Sequence, residues 1–246
     1  MRAVLAVLGR ELRAYFFSPL AYILLTFFLL VNGYYFSLIV AYLNNPGARS
    51  GAPLELFFGQ TIFTWLVLIS VGTFLTMRLV SEELRSGTIE VLMTAPVTET
   101  QVVLGKYFAA VAFYGFLWSP TLLYVAMVRY FSPVDFGPIA SSYLGLLGIG
   151  GLFLAVGIFA SAFSKNQIVA AIVTFACLMV LFTFGLLESL FNGETAKRVF
   201  GYLDLWQHMD DFSKGIVDTR HLVYYASVAA FFLFLTTRTL AAKKWR

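Results

Sequence analysis

The sequence predicts an all-α integral membrane protein, with six transmembrane helices behind an N-terminal amphipathic interfacial helix and both termini in the cytoplasm. Three observations carry this reading. Hydrophobic residues make up 60% of the chain and charged residues 12%, against about 25% charged in a soluble domain. The apolar residues gather into six runs long enough to cross a bilayer. Lysine and arginine are concentrated on the side to which six spans return the termini. Residues 1–246 are thus read as one membrane domain, with no room for a separate soluble catalytic domain.

From Met1 to Ser18, Met1, Leu5, Leu8, Leu12 and Phe16 recur at helical spacing beside Arg2, Arg10 and Arg13, as in a helix lying in the membrane interface. A cleaved signal peptide fits poorly, because the apolar run that follows is too long. That run, Leu20 to Leu43, is the first span. Leu54 to Leu79 contains the second, from about residue 56, after a loop rich in Gly, Pro and Asn. The third is expected over Tyr107 to Tyr130, the fourth over Ile139 to Phe163, the fifth over Ile168 to Phe191 and the sixth over Leu222 to Leu240. Ser164 to Gln167 make a tight turn between the fourth and fifth.

Arg2, Arg10, Arg13, Arg78, Arg85, Lys106, Lys165, Arg238, Lys243, Lys244 and Arg246 fall on the terminal side, and Arg49, Arg129, Lys197, Arg198, Lys214 and Arg220 on the other. The positive-inside rule puts the termini in the cytoplasm. The same topology accounts for the net charge of +4, so nucleic acid is not an expected partner and the lipid bilayer is. In the fourth span, Gly145, Gly151 and Gly157 belong to small-xxx-small pairs that admit a close helix, either within the bundle or from a second copy. In the long outer loop, Leu205, Trp206, Met209 and Phe212 form the apolar side of a short interfacial helix. It is an anchor at the headgroup level, a gate or a docking surface.

Chemistry of the chain's own is hard to find. The one Gly-Lys pair, Gly105–Lys106, has Thr100 where a phosphate loop needs its first glycine and Tyr107 where it needs the magnesium-binding hydroxyl. His208 and His221 lack zinc-site spacing, Cys177 has no second cysteine to pair with, and no Gly-x-Ser-x-Gly elbow occurs. The adjacent acids Glu82/Glu83 and Asp210/Asp211 diverge around a helix, as on solvated faces. The span interiors hold almost no ionisable residue of the kind an ion-coupled carrier retains.

The polar stretch between the second and third spans is the densest feature of the cytoplasmic side. Arg78/Glu82 and Glu82/Arg85 are spaced to pair on a helix that extends the second span, and Gly87 loosens it. Thr88 to Thr94 forms a short amphipathic element with Ile89, Leu92 and Met93 beside Glu90. After Pro96, Thr98 and Gln101 fit a capping box and Val97 and Val102 a hydrophobic staple, opening a helix that runs through Gly105 and Lys106 into the third span.

The segment EELRSGTIEVLMTAPVTETQVVLGK resembles the permease subunits of ABC-2 type transporters, the gliding-motility-associated type among them. RELRAYFFSPLAYI, SKNQIVA and FSKGIVDTRHLVYY agree in position. The resemblance implies a half-transporter in the prokaryotic inner membrane that works with a second permease, identical or homologous, and with cytoplasmic ABC ATPase subunits. An extracytoplasmic auxiliary protein is a further candidate partner. ATP and Mg are expected on the partner ATPase and no cofactor or metal on this chain. By motif match, Glu82, Glu83, Arg85, Ser86, Gly87, Thr88, Glu90 and Pro96 form the cytoplasmic coupling helix against the ATPase, with Thr98, Gly105 and Lys106 leading into the third span. Export is the direction the resemblance favours. The competing readings are a membrane anchor or regulator that holds an extracytoplasmic partner, and an ATP-independent carrier.

Overall fold

The structure is a computed structural model that describes residues 2–44, 53–59, 61–88, 97–131, 133–187 and 201–244. Its regular elements, among these residues, are all helical. They are α1 (Arg2–Phe16), α2 (Pro19–Leu43), α3 (Pro53–Phe58), α4 (Ile62–Thr76), α5 (Ser81–Ser86), α6 (Glu99–Trp118), α7 (Leu122–Phe131), α8 (Phe136–Ser161), α9 (Gln167–Leu187), α10 (Leu205–Ser213) and α11 (Thr219–Lys244). Six helical stretches are long and apolar enough to cross a membrane: Pro19–Leu43, Ile62–Ser86, Glu99–Phe131, Phe136–Ser161, Gln167–Gly185 and Thr219–Lys243. The protein is therefore a multi-pass, all-α membrane protein.

Two spans differ from the hydropathy reading. The apolar run from Leu54 is not one helix, because α3 ends at Phe58 and the span begins at Ile62. The break is held from outside the run. Tyr35 Oη donates to Leu56 O at 3.0 Å and also bonds to the Thr61 hydroxyl, while Thr64 Oγ1 donates to Phe57 O at 2.9 Å. The third span starts eight residues before Tyr107, at Glu99, and passes a 3-10 turn at Ser119–Thr121, where Pro120 has no N–H for the helical ladder. Its 33 residues correspond to roughly 50 Å of helix. The hydrocarbon layer is about 30 Å thick, so the stretch is longer than a crossing along the bilayer normal needs.

The fourth span, α8, is the axis of the bundle. Buried residues make up 78% of its most apolar window, against 22–33% in the windows of α2, the α6–α7 span, α9 and α11. Its glycines are what let the neighbours in. A Cβ on Gly157 would lie 2.0 Å from Thr76 Oγ1, one on Gly145 2.7 Å from Phe212 Cδ2, one on Gly150 2.3 Å from Tyr114 Cε1, and one on Gly151 3.0 Å from the Tyr107 hydroxyl. At Gly145, Gly151 and Gly157, then, the close partner is a side chain of the same chain. The small-residue face serves packing within the bundle.

Hydrogen bonds and ion pairs identify two ends. Lys106 Nζ donates to Leu79 O and pairs with Glu11, and Lys243 Nζ donates to Ala162 O at 2.6 Å. These contacts gather α1, α5, the head of α6 and the last turns of α8 and α11 at one end. At the other, Ser141 Oγ donates to Phe212 O at 2.6 Å and Ser213 lies against Gly59, joining α10 to α8 and α3.

The apolar face of α10 is turned into the bundle. Leu205, Met209 and Phe212 are at most 1% exposed, and Trp206 stacks on Trp65 with ring centroids 6.1 Å apart. Asp204 caps the helix by accepting from Trp206 N at 2.8 Å. Beneath it, His208 is buried with its ring 3.8 Å from that of His221, and burial, then the charge of His221, pushes the His208 imidazole down to about 4.

That value fixes a pH response. Between about 4 and the ordinary 6.5, the unfolded chain binds a proton at His208 that the folded chain refuses, so stability falls as pH drops through this window. The unfolding midpoint of the purified protein is expected to decrease from pH 7 to pH 5, and less so in His208→Gln. An equal decrease in both would remove His208 as the cause.

Candidate functional site

The site is built where α1 crosses the head of α6. Gly105 allows the crossing, since a Cβ there would sit 2.7 Å from Val7 Cβ. One turn on, Glu11 meets Lys106, and one turn further the Tyr15 ring stacks on Phe113 at 4.8 Å while its hydroxyl donates to Leu75 O at 2.8 Å. The docking stripe of α1 is therefore Val7, Glu11 and Tyr15. Of the apolar series read as the membrane-interface face, Leu5 is 62% and Phe16 38% exposed.

Lys106 is the centre of this arrangement. It is 1% exposed, and its ammonium is 3.0 Å from Glu11 Oε1, 2.9 Å from Glu83 Oε1 and 2.8 Å from Leu79 O. Three donors meet three acceptors, so the charge is fully solvated by the protein. Arg10 closes the set at 2.7 Å from both carboxylates. Burial alone would raise the Glu11 carboxyl, but the charge of Lys106 and hydrogen bonds from Arg10 and Lys106 outweigh it and hold the group below the usual carboxylate range. Its contribution to stability is present above the ordinary carboxylate pKa and is lost as pH falls through the lowered one. Glu83 is thus no solvated surface acid.

The second span reaches this node through an interrupted helix. Past Thr76 the chain turns through residues 77–80 before α5, and one side chain from α8 meets the loosened backbone. Ser161 Oγ accepts from Val80 N at 3.2 Å and Ser81 N at 3.1 Å and donates to Met77 O at 3.2 Å. Arg78 does not pair with Glu82 as the spacing predicts. It donates to Ser18 Oγ at 2.8 Å and lies over the Tyr15 ring, 5.5 Å from its centroid.

α5 ends at the bundle surface. Gly87 ends the helix with φ at 72°, the left-handed conformation that glycine adopts without strain, and the Ser86 and Thr88 hydroxyls bond to each other at 2.8 Å. Glu82, Arg85, Ser86, Gly87 and Thr88 are exposed. Glu90 and Pro96, with the amphipathic element from residue 89 onward, lie outside the described residues. At Thr98 the predicted capping box is formed: Thr98 Oγ1 accepts from Gln101 N and Gln101 Oε1 from Thr98 N.

The residues singled out on the polar stretch therefore divide. Glu83, Gly105 and Lys106 are built into the bundle, and Glu82, Arg85, Ser86, Gly87, Thr88 and Thr98 are exposed. Glu82, Ser86 and Thr88 join Glu83 and Lys106 in lining a cleft of about 430 Å³ with Arg10, Glu11 and Arg78. Arg10, Glu11 and Ser161 are the members that sequence reasoning missed. A lone acid on an otherwise basic helix and a lone lysine heading an apolar run were the available signals, one the counter-charge of the other.

A family model described as ABC-2 family transporter protein matches residues 52–237. The chain belongs to the ABC-2 transporter family. No curated protein matches it. As an ABC-2 family protein it is a membrane permease subunit of an ABC transporter and not itself an ATPase. The match takes in α3 to α10 and most of α11, and with them the Glu83–Lys106 half of the node. The α1 half lies ahead of it.

Proposed function

We propose that this permease works in the prokaryotic inner membrane as half of an exporter, paired with a second permease, and is driven by a separate cytoplasmic ABC ATPase that docks on the stretch between α5 and α6. Supporting this most directly is the way both flanks of the stretch return to one buried node. Glu83 on α5 and Lys106 on α6 share an ion pair that also holds α1. A push on the stretch is thereby delivered to the second and third spans together. The motif around it resembles the gliding-motility-associated permease type, a resemblance that leaves its cargo open. ATP and Mg belong to the ATPase in this scheme.

Gly87→Pro tests the scheme, because proline is locked near a φ of about −65° while this position is at 72°. In the reconstituted complex this variant, or Glu90→Lys, should lower transport per ATP hydrolysed roughly tenfold, within the usual range of coupling free energies. The isolated permease should melt as the wild type does. Unchanged coupling in both variants would sink the proposal. Capture of an extracytoplasmic protein alone through the tagged chain, with no ATPase, would favour the anchor reading instead.

A further inference from the structure

At the same end of the bundle, α8 and α11 border a groove of about 520 Å³. Phe159, Phe163 and Leu235 give it an apolar wall, and Arg238, Thr239 and Lys243 a polar, cationic one. The aromatic wall is braced, since the Phe159 ring packs edge-on against Phe163 at 4.8 Å and against Phe232 at 5.5 Å.

The rim carries positive charge that no acid balances among the described residues. Lys165, in the turn between α8 and α9, adds a like charge that acts on Lys243. Among the described residues neither Lys165, Arg238 nor Lys243 forms an ion pair. Lys243 is fixed by its bond to Ala162 O at 2.6 Å, and the Arg238 guanidinium rests on the Phe234 ring, 4.9 Å from its centroid. Both cations are thus positioned, and most of their donors have no partner among the described residues.

We propose that this groove binds an anionic phospholipid, its phosphate held by Arg238, Lys243 and Lys165 and an acyl chain lying along Phe159, Phe163 and Leu235. Charge complementarity selects the occupant. Basic pockets between spans at a membrane surface take acidic headgroups, and an apolar wall beside the cations suits a lipid tail and not a free anion. The site is separate from the node of Glu11, Glu83 and Lys106, so the proposal stands whether or not the ATPase docks there.

The test uses the full chain in vesicles of equal phosphatidylglycerol and phosphatidylcholine, released into detergent for native mass spectrometry of the lipid it retains. Wild type should retain phosphatidylglycerol preferentially, and Arg238→Gln with Lys243→Gln should reduce that preference about 30-fold, two cations near a membrane surface being removed. Glutamine at 243 keeps a donor for Ala162 O. Lys165→Gln, in the turn, should reduce the preference about fivefold and serves if the double variant does not fold. Arg129→Gln at the opposite end should leave it unchanged. Equal retention of the two lipids by wild type, a preference surviving both sets of changes, or displacement of the lipid by soluble glycerol phosphate would each overturn the proposal. So would a change confined to self-association.

Discussion

Lys106→Met is expected to destabilise the permease by about 3 kcal/mol, the lower end of the range for taking one partner from a buried ion pair. The lower end applies because Glu11 and Glu83 keep 12% and 16% of their side-chain surface exposed and water reaches them once the ammonium is gone. What remains is two carboxylates facing each other with only the half-exposed Arg10 between them, and a Leu79 carbonyl that has lost its donor. The cost should fall steeply in Lys106→Met combined with Glu11→Gln and Glu83→Gln, since an uncharged set leaves no orphaned ion. Unfolding midpoints of the purified protein in detergent measure both effects. A single variant that melts with the wild type would show that the node does not hold α1 to α6.

Gly157→Ala should be nearly as damaging, although it adds one methyl group. The new Cβ would lie 2.0 Å from Thr76 Oγ1 and 2.7 Å from Thr76 Cβ. Thr76 is fully buried and held by its hydrogen bond to Gly72 O at 2.7 Å, so it has no free rotation with which to make room. The helix pair α4 and α8 must separate, at a cost of about 3 kcal/mol, the upper part of the usual range for overpacking. Thr76→Ala in the same chain should recover only part of it, because the Cβ at 2.7 Å remains, and Thr76→Gly relieves the contact itself. Gly115→Ala is the matched control: its Cβ would meet only Leu147 Cδ2 at 3.8 Å, and alanine is the better helix former, so no loss is expected. Equal melting of both glycine variants would contradict the packing described for α8.

Much of the architecture was legible because a bilayer demands long apolar helices and little else. The helix start at Thr98 was legible for a different reason: a capping box is a local device, complete within four residues. The break at residues 59–61 was not legible, since Tyr35, more than twenty positions away, supplies part of what holds it. Nor was the docking face of α1. Reading for hydrophobicity picks out Leu5, Leu8, Leu12 and Phe16, whereas the stripe that packs has glutamate at its centre, and a buried acid declares itself only when its lysine is found 95 residues later. At α8 the glycines announced a close neighbour, but their spacing held nothing to say that the neighbours were Thr76, Tyr107 and Phe212.

Ser161 makes the interruption between α4 and α5 a joint and not a fracture. A hydroxyl has one proton to give and two lone pairs to offer, and all three are committed to the backbone of residues 77–81. In an apolar surrounding, with no water to substitute, amides stripped of their acceptor are costly. If α5 swings, it must either carry the end of α8 with it or leave Val80 and Ser81 bare. The hinge of the second span thus has its pin in the fourth.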